Sequence, residues 1–163
     1  DGCHTEKSME VCLAWFKEEL QADSSGRRVV LLFNCSHERN PVQLLELAKK
    51  SAVSFDSVIF SASDTERPSA VPKPSPSELL GKPPPPNPTT LNWQETLAAV
   101  WPNIPAHSTH SPATPSPPAT SSPSVLSSLT SIQECPSIVL CCGSLYIVGS
   151  ALEALGWEEV ASC

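Results

Sequence analysis

The sequence predicts an α/β fold, a mostly parallel sheet flanked by helices and interrupted by long disordered insertions rich in Pro and Ser. Three observations point there. Short unbroken apolar runs recur, as at Val29–Phe33 and Ser137–Cys142, and such runs suit strands covered on both faces. Amphipathic stretches at helical spacing alternate with them, which means βαβ units. Of the 18 prolines, 16 fall between Pro68 and Pro123, so the foldable part of the 163 residues is much shorter than the chain.

In chain order, Asp1-Gly2-Cys3-His4-Thr5 is a turn feeding a helix, with Thr5 as N-cap and Glu6 in the first turn, where the helix dipole favours an acid. Met9, Cys12, Leu13, Phe16 and Leu20 follow as one buried helical stripe, and Gly26 lies in the next turn. Val29–Phe33 is the first strand and Asn34–Pro41 the connecting loop. Asn40 caps the next helix, Pro41 takes its first position, and Gln43 completes a capping box. Leu44, Leu45, Leu47 and Ala48 form that helix's apolar side. Asp56–Phe60 is the second strand.

The domain therefore divides into a first part at 1–67 and a disordered Pro-rich insertion at 68–88. A short helix at 89–101 follows, then a second disordered insertion at 102–124 and a closing helix–strand–helix at 125–163. In the short helix Thr90 is the expected cap, and Trp93, Leu97, Val100 and Trp101 share a face. Val125, Leu129 and Ile132 mark another helix. Ser137–Cys142 is the third strand, and it turns through Gly143-Ser144 into a helix carrying Ile147, Val148, Ala151, Leu152 and Leu155 that ends at Gly156.

Composition excludes several functions. A net charge of −7 gives no electrostatic footprint for nucleic acid. No apolar run approaches the roughly 20 residues of a membrane span. Seven cysteines without a Cys-x-x-Cys pair argue against a structural zinc site and for reduced, mostly buried thiols. Met9 is the only methionine, which reads as a fragment of something longer. No Gly-x-x-x-x-Gly-Lys-(Ser/Thr) loop is present, so nothing in the sequence cradles a triphosphate.

The chemistry-bearing turns are Asp1–Thr5 and Gly143-Ser144. Each precedes a helix, where unpaired backbone N–H groups attract anions. Both belong on the carboxyl edge of a parallel sheet, where ligands of open α/β folds bind. Either turn alone is also ordinary loop chemistry.

Taken together, these motifs resemble the C-terminal domain of the folylpolyglutamate synthase family, within the Mur ligase superfamily, whose fold is Rossmann-like. Asp1-Gly2-Cys3-His4-Thr5 matches Asp-Gly-Ala-His-(Asn/Thr), with Cys3 in place of Ala. Asn34 to Pro41 matches Asn-x-x-x-x-Arg-Asp-Pro in the Asn, Arg and Pro, with Asn40 in place of Asp and His37 where Gly is common. Gly143-Ser144-Leu145-Tyr146-Ile147-Val148-Gly149 carries the closing signature, and Gln94 to Trp101 is similar to Gln-x-x-Leu-x-x-x-Trp. The resemblance implies an ATP-dependent ligase that adds L-glutamate to the γ-carboxylate of folate polyglutamates through an acyl phosphate. It implies that Asp1 contacts ATP, that His4 and Ser144 hold the incoming glutamate, and that Arg39 supports the site. It also implies ATP, Mg2+ and a monovalent cation as cofactors. The Mg2+ ligands belong to the chain's own N-terminal P-loop domain, so this piece alone is expected to be inactive. A monomer in the cytoplasm or mitochondrion completes that expectation. Other readings are another Mur-type amino-acid ligase, a serine hydrolase using Ser144, His4 and Asp1, and a Pro-rich interaction scaffold. The hydrolase reading lacks both glycines flanking the serine.

Overall fold

A computed structural model describes residues 2–63, 71–105 and 116–157. Four strands form one sheet in the order β3-β2-β1-β4, all parallel. They are β1 (Arg28–Phe33), β2 (Ser57–Ser61), β3 (Ala119–Ser122) and β4 (Ser137–Cys142). The helices are α1 (Glu6–Ala22), α2 (Pro41–Lys50), α3 (Pro76–Leu79), α4 (Trp93–Val100), α5 (Val125–Gln133) and α6 (Leu145–Ala154), with a 3-10 turn at Trp101–Asn103.

The alternation of side chains along each strand builds two cores. Leu31, Phe33, Val58, Phe60, Leu140 and Cys142 face α1, α2 and α4, where Met9, Leu13, Phe16, Leu45, Trp93 and Trp101 are buried. Val30, Leu32 and Ile59 face the other way, onto Val125, Leu129 and Ile132 of α5 and Ile147 and Ala151 of α6. The apolar runs of β1 and β4 are thus explained by cover on both faces. Adjacent Cys141 and Cys142 are divided between the two sides.

Local sequence accounts for the helix starts. Thr5 Oγ1 accepts from the Ser8 N–H at 3.2 Å, and the Ser8 hydroxyl in turn accepts from the Thr5 N–H. Asn40 accepts from the Gln43 N–H at 3.3 Å, with Pro41 opening α2. The short Trp helix is capped by Asn92 rather than Thr90: Asn92 Oδ1 takes the Glu95 N–H at 2.9 Å, and Glu95 reaches back to the Asn92 N–H at 2.8 Å. This reciprocal pair starts the helix two residues later than a Thr90 cap would.

A second correction concerns 102–124. Its end holds β3, whose Ala119 to Ser122 pair in parallel with Val58 to Ser61 of β2. The segment before it is pinned by the Val58 N–H on the Pro118 carbonyl (3.0 Å), the Trp101 indole on the Pro117 carbonyl (3.2 Å) and the Lys49 ammonium on Ser116 Oγ (2.9 Å). Prolines fit here because β3 is an edge strand and they flank it. The 68–88 expectation also meets structure, since Ser75 and Glu78 cap the single turn of α3. Residues 64–70 and 106–115, where much of the insertion reading falls, lie outside the described residues.

Candidate functional site

The helices on the two faces of the sheet define a switch point. The connection from β1 to β2 passes over one face through α2, whereas β4 continues into α6 on the opposite face. β1 and β4 are neighbours, paired from Arg28↔Ser137 to Phe33↔Cys142. Their following helices therefore diverge at the carboxyl ends of this pair, the place where open α/β sheets form their ligand crevice.

Three segments meet there. Because Phe33 and Cys142 end their strands side by side, Asn34 and Gly143 emerge together, and the Asn34 N–H donates to the Cys142 carbonyl at 3.3 Å. Gly143 has φ +106, and a Cβ on it would lie 2.4 Å from the Asn34 carbonyl oxygen. Only glycine fits that approach. The third segment is the turn before α1. The Gly143 N–H donates to the Gly2 carbonyl at 2.8 Å, and a Cβ on Gly2 would stand 2.3 Å from the Leu145 backbone nitrogen. The two turns singled out in the sequence are thus pressed backbone to backbone.

The candidate residues lie on or near these segments. His4, half-buried, stands two residues beyond Gly2 at the entrance to α1. Ser144 is the N-cap of α6, its Oγ accepting from the Ile147 N–H at 3.3 Å. Arg39 is exposed on the β1–α2 loop, its backbone N–H on the Ser36 carbonyl at 3.0 Å. Asp1 lies outside the described residues. At the N-terminus of α6 the first N–H groups have no intrahelical acceptor, so the crevice carries partial positive charge.

Packing behind the crevice holds the loop from β1 in place. The Trp93 indole N–H donates to the Cys35 carbonyl at 2.7 Å from a fully buried position. His37 sets its ring edge against Trp93 at 5.8 Å, and its Nε2 lies 2.9 Å from the Val71 carbonyl. Sequence reading assigned Trp93 to packing and missed this hold on the loop, for which a lone Trp gives no local signal. At the end of β4, burial pushes the Cys141 thiol up to about 12 and raises Cys142 well above the ordinary thiol value.

Among the described residues, no group of three or more His, Cys, Asp or Glu gathers in a metal-binding arrangement. No helix among the described residues is long and apolar enough to cross a membrane.

Comparisons with known proteins agree with the motifs. No family model matches the chain, and no solved structure matches it. Among curated proteins, the mitochondrial folylpolyglutamate synthase of Homo sapiens is 40% identical over 70 residues, covering 40% of this chain and 12% of that protein. The mitochondrial folylpolyglutamate synthase of Bos taurus is 39% identical over 64 residues, 37% of this chain and 11% of that protein. A putative folylpolyglutamate synthase of Caenorhabditis elegans is 38% identical over 55 residues, 33% of this chain and 11% of that protein. The matched segments amount to about a tenth of the length of these relatives. An α/β chain with two glycine-jointed turns at the switch point of its parallel sheet is thus similar, over about two-fifths of its length, to folylpolyglutamate synthases.

Proposed function

We propose that this chain is a C-terminal-domain part of an ATP-dependent ligase that joins the amine of L-glutamate to the γ-carboxylate of a folate polyglutamate. The observation that carries the reading is the 2.8 Å bond from the Gly143 N–H to the Gly2 carbonyl. It joins the turn that leads through His4 into α1 to the turn that opens α6 at Ser144. An amino-acid substrate brings a carboxylate to be held while its amine stays free to react. The N-terminus of α6 and the Ser144 hydroxyl supply donors for that carboxylate, and His4 adds an imidazole N–H. Arg39, exposed on the β1–α2 loop, is assigned a second anionic group. By resemblance, Asp1 accepts from ATP. In this reading ATP activates the folate carboxylate as an acyl phosphate, and the glutamate amine displaces phosphate.

By resemblance, phosphate cradling and Mg2+ are assigned to a P-loop domain outside this sequence. A monovalent cation is assigned to the same assembly. What this chain does is orient the amino acid and close the site against water. The protein is proposed to act as a monomer in mitochondrion or cytoplasm, the first being the compartment in the names of the human and bovine relatives.

The test uses the protein that joins this chain to its P-loop domain. His4→Ala and Ser144→Asn are compared with the parent for glutamate and ATP dependence. Asn keeps the helix cap, so the second variant isolates the lost hydroxyl. KM for glutamate is expected to rise about tenfold or more, as for a lost charge-assisted bond, with KM for ATP nearly unchanged. Unaltered glutamate dependence in both variants would remove these assignments. Ligation by the 163-residue chain alone would overturn the division of labour.

A further inference from the structure

We propose that Lys82–Pro86 is a docking segment for a partner domain of the SH3 type, whose groove is lined by aromatic side chains and rimmed by acids. This surface stands apart from the ligase reading and does not depend on it. The segment reads Lys82-Pro83-Pro84-Pro85-Pro86, and every residue from Gly81 to Thr90 is exposed. Each proline ring fixes its own φ at about −65° and pushes the residue before it to extended backbone. Lys82, Pro83, Pro84 and Pro85 all precede a proline, so they are held to polyproline II until the chain bends at Pro86 and Asn87. Residues three apart share a face in that helix. Pro83 and Pro86 therefore form one ridge, at the Pro-x-x-Pro spacing that aromatic-lined grooves accept.

The segment is built out from the body and held at both ends. α3 and α4 lie against each other, yet thirteen residues, 80–92, join them. Connections of that length without secondary structure are uncommon in compact domains unless they carry function. After α3 the chain turns at Gly81, with φ +62. The Lys82 N–H donates to the Ser77 carbonyl at 2.8 Å and the Gly81 N–H to the Glu78 carbonyl at 3.2 Å, the glycine stop of a helix. Leu79 and Leu80 pack against the core at this end, and the Asn92 cap of α4 fixes the other. An open groove of about 520 Å³ lies between the prolines and Leu80, Ala99 and Asn103, so the segment stands off the surface. A partner meets a chain already extended and anchored, which loses less freedom on binding than a free one.

The chemistry of the segment selects the partner. Proline has no N–H, and among the described residues no group donates to the carbonyls of residues 82–90. These acceptors are open to donor side chains in a groove, while the rings fill its apolar slots. Lys82 supplies direction. Residues 83–163 contain no Lys or Arg, so the segment carries a cation at its N-terminal end and none beyond. The Lys82 ammonium rests on Asn103 Oδ1 at 3.1 Å in an exposed bond. A carboxylate on the partner's rim would replace that neutral acceptor with a charge-assisted one. A groove without acids gains nothing from Lys82.

The test titrates the 163-residue chain into a panel of isolated, isotope-labelled SH3 domains that take ligands with a basic residue ahead of the prolines, and into WW domains for comparison. Saturable binding to SH3 members is expected, with NMR shifts confined to the aromatic groove. Lys82→Glu, and Pro83→Ala combined with Pro86→Ala, are each expected to weaken binding about tenfold or more. Both changes fall on exposed residues, so the emission of buried Trp93 and Trp101 should match the parent. If a variant folds poorly, synthetic peptides of residues 80–91 with and without Lys82→Glu repeat the comparison. No saturation with any SH3 member up to about 1 mM chain, binding to WW domains only, or a Kd unmoved by either change overturns the proposal.

Discussion

Replacing Gly143 by Ala tests the joint on which the site reading rests. Two costs can be worked out from the structure. At φ +106 a side chain adds a backbone strain of about 1–2 kcal/mol. The new Cβ would also lie 2.4 Å from the Asn34 carbonyl oxygen and 2.8 Å from the Phe33 ring. Relief requires β1 and β4 to separate at their ends, which strains the Asn34 N–H bond to Cys142 and the Gly143 N–H bond to Gly2, each worth about 1 kcal/mol net. The expected loss is about 3–5 kcal/mol, a large fraction of a typical domain stability of roughly 5–15 kcal/mol. Gly149→Ala is the matched control. Gly149 lies inside α6 with nothing within 4 Å of a new Cβ, so alanine should stabilise the chain by about 0.5–1 kcal/mol. Urea unfolding followed by tryptophan fluorescence reads both, because Trp93 and Trp101 are each only 1% exposed. Equal midpoints for Gly143→Ala and the parent would refute the close approach at the switch point.

Trp93→Phe removes the donor to the Cys35 carbonyl and leaves a void in a buried site; a loss of about 2–3 kcal/mol in urea unfolding is expected, and a loss below about 0.5 kcal/mol would mean that the indole does not hold the loop. Asn40→Ala deprives the Gln43 N–H of its cap, with an expected cost of about 1 kcal/mol and no change in the tryptophan emission of the folded state. A pH effect follows from Cys12, whose value falls from 9.0 unfolded to about 7 folded. Between these values the unfolded chain holds more protons, so stability rises with pH through this window and is lost as pH falls through about 7. Stability measured from pH 6 to 9 should be flatter in C12S, and an unchanged slope would contradict the lowered thiol.

Much of this molecule can be read locally. The apolar runs of β1, β2 and β4, the stripe of α1 and the caps at Thr5, Asn40 and Ser144 each rest on a dozen residues or fewer. Such features follow from side-chain period and from unpaired N–H groups at helix starts. Residue order also places both glycine turns on one sheet edge, because each precedes a helix in a βα alternation. β3 was not legible in this way. Ala119-Thr120-Ser121-Ser122 has no apolar run and sits between prolines, and it is a strand because β2 offers an open edge and Trp101 and Lys49 pin the segment before it.

Sequence by itself therefore determined the α/β class, the order of every element but α3 and β3, and the two turns that carry His4 and Ser144. Tertiary structure decided that Gly2 and Gly143 touch and that β1 and β4 bracket the switch point. The physical reason is range. Helix caps and hydrophobic periods are satisfied by neighbours in the chain, whereas a backbone approach of 2.4 Å between Asn34 and Gly143 exists only once strands far apart in sequence have paired in register.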